Sequence, residues 1–403
     1  MLQQSLIQEV INVQERKIER QPFGTEREIL PVFPDTDTHA LIVSGIRRCG
    51  KSTLLVQLLK NRKQPSLYLN FENPRLFGFE LSDFQLLDNI ITNKKSELLF
   101  FDEIQVVRHW ELYVRQKLDE GFKVFVSGSN ASLLSRELGT KLTGRHITKE
   151  LFPFSYREFL AFKSLAADAK SWQKYMDTGG FPEFIKTNNP DVLTELFYDI
   201  LNRDIIVRHG IRDANALKRL AIYLISNVGN LVTAGKLKQP LSIKSTATIL
   251  DYFSFFEDTY LINFLPKFSY SFKIQLINPR KIYVIDSGII KIASASFTKN
   301  EGHKLENLVY WELRRRGKEL YYFNEKGREC DFVVMQNNKI EQIIQVCYEL
   351  TAENTEREQR GLHEAMQFFN TDNGTIITNE QSDIYVFNGK QINIIPAYQY
   401  FTR

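Results

Sequence analysis

Cysteine is scarce in this chain and does not cluster. The 403 residues contain three cysteines, Cys49, Cys330 and Cys347. They are too far apart for the paired spacing of a zinc site or a disulfide framework, which fits a reducing compartment. Long apolar runs are missing as well. No stretch approaches the roughly 20 residues that a membrane-spanning helix needs. The polar, mixed-charge N-terminus lacks the apolar core of a signal peptide. A cytoplasmic protein with no membrane span is the expectation, with peripheral attachment left open. Excess charge of one sign is also lacking: 52 Lys and Arg against 48 Asp and Glu leave +4, too little by itself to argue for any partner. What remains is globular in composition, 43% hydrophobic and 25% charged, at a length that predicts two to four domains.

The chain is organised around Ala40 to Leu55. Ala40 to Val43 reads as a buried parallel strand that breaks at Gly45, and Leu54, Leu55, Leu58 and Leu59 then recur at helical spacing. Between strand and helix, Gly45, Ile46, Arg47, Arg48, Cys49, Gly50, Lys51, Ser52 and Thr53 fit G-x-x-x-x-G-K-[ST], the phosphate-binding P-loop. Glycines let backbone N–H groups approach a polyphosphate. The helix that follows turns its positive end toward the anion. Lys51 is the candidate charge for the β- and γ-phosphates, and Ser52 the candidate Mg²⁺ hydroxyl.

A parallel α/β sheet follows from the alternation of strand and helix signals over residues 40 to 151. Met1 to Glu19 reads as an amphipathic helix packed on that core. About fifty residues after the P-loop, Leu98 to Phe101 end in Asp102 and Glu103, an acidic strand end of the kind that meets ligands in open α/β sheets. Asp102 is expected in the Mg²⁺ shell, and Glu103 is expected to polarise the attacking water. The strand from Lys123 offers Ser129 and Asn130 near the γ-phosphate. Asn130 reads equally well as a helix N-cap. Arg136 and Arg145 are candidates for an arginine that reaches a neighbouring copy's γ-phosphate, and a surface ion pair is the alternative for each. Arg145 is preferred because Gly144 permits a tight turn.

These segments resemble the AAA+-type ATPases of bacteria and archaea that carry a C-terminal domain of uncharacterised function. The resemblance rests on Gly45 to Leu55, Phe101 to Gln105, Ser127 to Asn130, Leu142 to Arg145, Leu151 to Phe159, Gly179 to Glu183, Arg203-Asp204 and Glu329 to Phe332. It spans essentially the whole chain. It implies nucleotide binding and leaves the physiological role open.

The resemblance also frames the middle of the chain. Residues 152–210 are of the size of a helical lid, with Gly179 to Glu183 as a turn near the nucleotide or as a loop with no ligand. Arg203 reads as a phosphate sensor or as the partner of Asp199 or Asp204. In residues 211–285, three helices (217 to 228, 233 to 237 and 245 to 256) precede strand signals at 261 to 265 and 281 to 285, the plan of a winged helix-turn-helix. From 210 to 285, ten basic residues, Lys281 among them, stand against four acidic ones, giving +6 and leaving −2 elsewhere. That is the footprint of a double-stranded DNA partner. The third helix carries almost no Lys or Arg, so a protein partner is an equal reading.

Residues 286–403 read as helix, three strands, helix and strand, the plan of a restriction-endonuclease-like α/β domain. Glu306, Asp331 and Gln345 fall where that fold keeps its metal ligands. Cys347 stands in the place of the lysine that would activate water, and Lys339 is the candidate to substitute for it from elsewhere, with nothing in the sequence that shows it. A degenerate domain without efficient nuclease activity is the favoured reading. The whole chain is thus expected to comprise a P-loop ATPase core (1–151), a lid, a winged helix-turn-helix and a nuclease-like domain. It is expected to be an Mg²⁺-dependent ATPase, a homo-oligomer, coupling hydrolysis of ATP to movement of its C-terminal modules, with action on DNA. The alternatives are a nucleotide-gated DNA-binding regulator, a protein-interaction switch with an unknown protein partner, or an ATP-driven metal nuclease.

Overall fold

Five short apolar runs form one parallel sheet. Strands β1 (Ala40–Ser44), β2 (Ser66–Asn70), β3 (Leu98–Asp102), β4 (Lys123–Gly128) and β5 (His146–Glu150) lie in the order β2-β3-β4-β1-β5, and every neighbouring pair is parallel. β1 and β3 are buried along their whole length, as strands covered on both faces must be. The computed structural model describes residues 2–129, 142, 144–295, 300–325, 327–387 and 389–403. Asn130, Arg136 and Thr143 lie outside the described residues.

Helices α1 (Gln4–Arg20), α2 (Lys51–Lys60), α3 (Phe84–Lys94) and α4 (Trp110–Asp119) accompany the sheet. α1 buries Ile7, Val10, Ile11 and Ile18 on one helical face. The first three join Leu67, Leu69, Leu87 and Trp110 in the core. Gln14 on this helix closes the β2 edge. Its Oε1 accepts from Asn70 N at 2.8 Å and its Nε2 donates to Asn70 O at 3.2 Å, so an edge strand gains a side-chain partner for its open backbone.

The chain divides once, into Met1–Phe152 and Pro153–Arg403, where the sequence sets further boundaries at 210 and 285. The second unit opens with α5 (Tyr156–Lys163), α6 (Ala169–Thr178), α7 (Pro182–Thr187) and α8 (Pro190–Asp199), the last running on through a wider turn at Ile200–Val207. Then come α9 (Ala214–Ser226), β6 (Leu231–Val232), α10 (Ala234–Leu241), α11 (Thr246–Asp258), β7 (Ile262–Leu265), α12 (Phe272–Ile277) and β8 (Arg280–Val284). β6, β8 and β7 form an antiparallel sheet in that order.

The short helix α13 (Ser287–Ala293) explains why no boundary falls at 285. It packs against the helices before residue 210. A Cβ on Gly288 would meet Leu193 Cδ1 at 2.7 Å and the Thr178 carbonyl at 2.8 Å. After α14 (Glu301–Arg315) come β9 (Glu319–Glu325), β10 (Arg328–Gln336), β11 (Lys339–Val346), α15 (Thr355–Phe368), β12 (Asn373–Thr378), β13 (Asp383–Phe387) and β14 (Lys390–Pro396). These strands make a mixed sheet in the order β13-β14-β12-β11-β10-β9. Among the described residues no helix is long and apolar enough to cross a membrane.

Candidate functional site

The first site lies where β1 and β3 end. After Ser44 the chain turns through Gly45, where a Cβ would meet the Leu151 carbonyl oxygen at 2.0 Å, so only glycine fits. Arg48 (φ 63°) and Gly50 (φ 104°) adopt left-handed backbone and deliver the chain into α2 at Lys51. Ile46 and Cys49 are buried beneath the loop, and the Cys49 thiol contacts the Leu151 carbonyl at 3.3 Å. Burial raises that thiol's pKa, which keeps it protonated. Arg47 pairs with Glu72 at 3.4 Å, Arg48 is exposed and Thr53 half-buried.

Lys51 is buried and its ammonium donates to the carbonyls of Gly45 and Ile46, each at 3.1 Å. It lies 3.6 Å from Glu103 Oε1. Burial disfavours the charged lysine, but the carboxylates of Glu103, first, and Asp102 act against it and its pKa rises. Burial likewise acts to raise Glu103, and Lys51, Gln105 and Arg47 reverse it, so the carboxylate stays ionised.

Asp102, the last residue of β3, is held from several sides. Its Oδ2 accepts from Tyr68 Oη at 2.7 Å and from Asn70 Nδ2 at 2.8 Å. Its Oδ1 accepts from Ser127 Oγ, and the exposed Ser52 hydroxyl also bonds to the carboxylate. Burial first, and the Glu103 charge second, raise its pKa. A hydroxyl and a carboxylate meeting beside a lysine suit Mg²⁺, which prefers a few hard oxygens alongside phosphate and water. Glu103 follows in a left-handed conformation (φ 52°) with its N–H on Ser127 Oγ at 3.0 Å. Gln105 bridges Glu103 to Ser129, whose hydroxyl is 3.5 Å from the amide nitrogen.

The structure therefore brings Lys51, Ser52, Asp102, Glu103 and Ser129 together. It does not bring Arg145 to them. Arg145 sits at the opposite end of the sheet, its carbonyl bonded to Ala40 N at the start of β1. Its guanidinium pairs with Asp119 and donates to the Thr38 carbonyl at 3.2 Å. In its own chain this is the surface ion pair that the sequence offered as the alternative.

Tyr68, Asn70 and Arg27 carry no direct sequence signal for the site, and Gln105 and Ser127 fall within matched motifs without a role of their own. Arg27 is buried and ties the P-loop to the end of the unit, donating to the carbonyls of Cys49 at 2.8 Å and Phe152 at 2.7 Å. Nothing marks a lone arginine ahead of β1 for this role. Tyr68 and Asn70 lie on the strand beside Asp102, where the β2–β3 pairing could have pointed to them.

A second cluster lies within the second unit. Glu306 on α14 and Asp331 on β10 are both buried and share one partner, the ammonium of a lysine. Gln345 is turned to other partners. Its Oε1 accepts from Asp331 N at 3.2 Å and its Nε2 donates to Glu358 at 2.7 Å, so both ends of the amide are engaged. The Cys347 thiol donates to the Glu349 carbonyl at 3.2 Å, and burial raises its pKa to about 11. Lys339 is exposed at the first residue of β11. The lysine in the cluster is instead Lys281, from β8, a residue counted in the sequence as part of a basic surface. It is buried, with Nζ at 2.7 Å from Asp331 Oδ1, 2.7 Å from Glu329 Oε1 and 3.0 Å from Glu306 Oε1. Burial disfavours its charge, but Asp331, Glu306 and Glu329 together hold its pKa well above the usual value. Among the described residues, no group of three or more His, Cys, Asp or Glu is arranged to hold a metal ion.

Comparison with known proteins places a family match over most of the first unit. An AAA domain family matches residues 37–160, and a domain of unknown function (DUF8612) matches residues 169–300. The uncharacterized protein MJ1544 of Methanocaldococcus jannaschii is 37% identical over 357 residues, covering 82% of this chain and 80% of that protein. An uncharacterized protein of Haemophilus influenzae is 32% identical over 355 residues, covering 82% and 87%. Among solved structures, the Walker-type ATPase paby2304 of Pyrococcus abyssi is similar, with a TM-score of 0.44 at 14% identity over 68% of this chain and 99% of that one.

Proposed function

The chain belongs to the family of these two relatives and carries an AAA domain, and on that footing we propose that it binds ATP with Mg²⁺ and hydrolyses it. The observation that carries the proposal is the meeting of Lys51, Ser52, Asp102 and Glu103 at the C-terminal ends of β1 and β3. The P-loop amides and Lys51 would bind the phosphates. Ser52 and Asp102 would hold the Mg²⁺, which neutralises phosphate charge when bound. Glu103, kept ionised and oriented by Gln105, takes a proton from water as its oxygen attacks the γ-phosphorus and the bond to the β-bridging oxygen breaks. Ser129, beside Gln105, would contact the transferred group. The test is phosphate release by the purified chain against Lys51→Ala and Glu103→Gln. Unchanged rates in both variants would reject the assignment.

A second reading couples that turnover to duplex DNA through residues 211–285, a winged helix-turn-helix in our reading. Three helices, α9, α10 and α11, with the antiparallel sheet β6-β8-β7, whose strand β6 falls between the first two, support the module. With Lys281 buried, nine basic residues stand against four acidic ones there. Phosphate release with and without duplex DNA at two salt concentrations separates the readings. Stimulation that weakens with salt supports DNA coupling, and turnover indifferent to DNA points to a protein partner. Assembly of several copies belongs to the same proposal and is read from the dependence of specific activity on protein concentration.

A further inference from the structure

The cleft beside the second cluster encloses about 800 Å³ and is lined by Lys281, His303, Glu306, Glu329, Asp331 and Glu358, among others. A nuclease-like fold with carboxylates at this place implies a divalent metal. The donor set does not fit one. A divalent ion of the Mg²⁺ class needs about six oxygens with lone pairs to spare. Here Asp331 Oδ2 accepts from Val346 N at 2.9 Å, Glu329 Oε2 accepts from Asn324 Nδ2 at 3.2 Å, and Glu306 Oε1 accepts from Tyr283 Oη at 2.7 Å. The remaining oxygen of Asp331 and that of Glu329 both face Lys281 Nζ. The ammonium donates hydrogen bonds to Glu306 and Asp331 and pairs by charge with Glu329 at 2.7 Å, so all three carboxylates are neutralised by one lysine.

The geometry points to Lys281 as the resident cation of this cluster, standing where a nuclease would hold its metal. Each arginine at the rim has a carboxylate partner. Arg328 is paired with Glu364, Arg357 with Glu358 and Arg360 with Glu356. The cluster is therefore an internal ion network that joins β8 to α14 and β10. This role is independent of the ATPase proposal, since every residue in it belongs to the second unit.

The test is Mn²⁺ binding to the full-length chain without nucleotide, followed by the free-ion paramagnetic resonance signal. A Ser52→Ala background removes the P-loop as a competing site. The expected result is no stoichiometric Mn²⁺ site in that background, and no change on adding Glu306→Gln or Asp331→Asn. Lys281→Met, checked for folding by circular dichroism, frees three carboxylates and should gain one Mn²⁺ per chain, at least tenfold tighter than any site in the parent. Adding Asp331→Asn should abolish it. One Mn²⁺ per chain in the parent, lost on Asp331→Asn, would overturn the inference, as would a folded Lys281→Met protein that gains no site. If Lys281→Met does not fold, the parent and its Asp331→Asn partner still decide the question.

Discussion

The Lys51 ammonium and the Glu103 carboxylate face each other at 3.6 Å, both buried. Each sustains the other's charge against burial. Phosphates entering the loop would compete with Glu103 and with two P-loop carbonyls for the same ammonium. Glu103→Gln should then keep ATP binding and lower phosphate release by about 10²-fold or more, the usual cost of losing a positioned base. Lys51→Ala should lose ATP binding as well. Titration calorimetry with ATP, alongside steady-state phosphate release, tells these outcomes apart.

Gly45→Ala should damage both folding and binding. The added Cβ would lie 2.0 Å from a backbone oxygen, that of Leu151, and 3.2 Å from the Cys49 sulfur. Neither neighbour is the end of a flexible side chain, so the P-loop or the end of β5 must shift. Overpacking of this kind costs roughly 1–3 kcal/mol. The expected outcome is a lower melting temperature and weaker ATP binding. Full stability with full affinity would show that the loop relaxes freely.

Arg145→Ala should leave hydrolysis within about twofold of wild type. Its guanidinium is engaged with Asp119 and Thr38 at the far end of the strands, and exposed pairs of this kind contribute about 0–1 kcal/mol. An arginine acting on the γ-phosphate of a neighbouring copy would instead cost roughly 10³-fold or more. Specific activity measured across a range of protein concentrations distinguishes the two.

Asp286 sets a pH dependence of the second unit. It is buried and accepts from Gly180 N at 2.6 Å and Gly288 N at 2.7 Å. Burial raises its pKa to about 6 from 3.8, the backbone N–H groups only partly offsetting it. Between those values the folded chain holds a proton that the unfolded chain has released. The stabilisation from this group is full below pH 3.8 and is lost as pH rises to about 6. The shift corresponds to about 3 kcal/mol at most. Denaturant unfolding of wild type and Asp286→Asn across that window should show the difference between them shrinking by up to that amount as pH rises. A constant difference would mean that Asp286 does not titrate there.

Much of the first unit was legible because its signals are local. The strand that begins at Ala40 and the acidic end of β3 occupy the residues expected from pattern alone. What was not legible depends on contacts between distant residues. Nothing in the order of residues joins Ser127 to Asp102, or Arg27 to the carbonyls of Cys49 and Phe152. The turn expected at Gly179 to Glu183 is present at its first three residues and gives way at Pro182 to the short helix Pro182–Thr187, because a proline that looks like a breaker is the residue on which this helix begins. Lys281 was misjudged for a related reason. A lysine on a strand end reads as a solvated charge, and the carboxylates that bury it come 25 to 50 residues later.

The burial of Lys281 also locks strand register. β8 pairs with β7 so that Lys281 stands opposite Leu265, and with β6 so that it stands opposite Leu231. Side chains alternate along a strand, so a slip of one residue would turn Lys281 outward and present Arg280 or Ile282 in its place. Three carboxylates would then face an apolar side chain or a bulkier fork of charge. The alignment of this small sheet is thus keyed by an electrostatic match to a neighbouring sheet, and a chain paired one residue out of step has nowhere to put its charge.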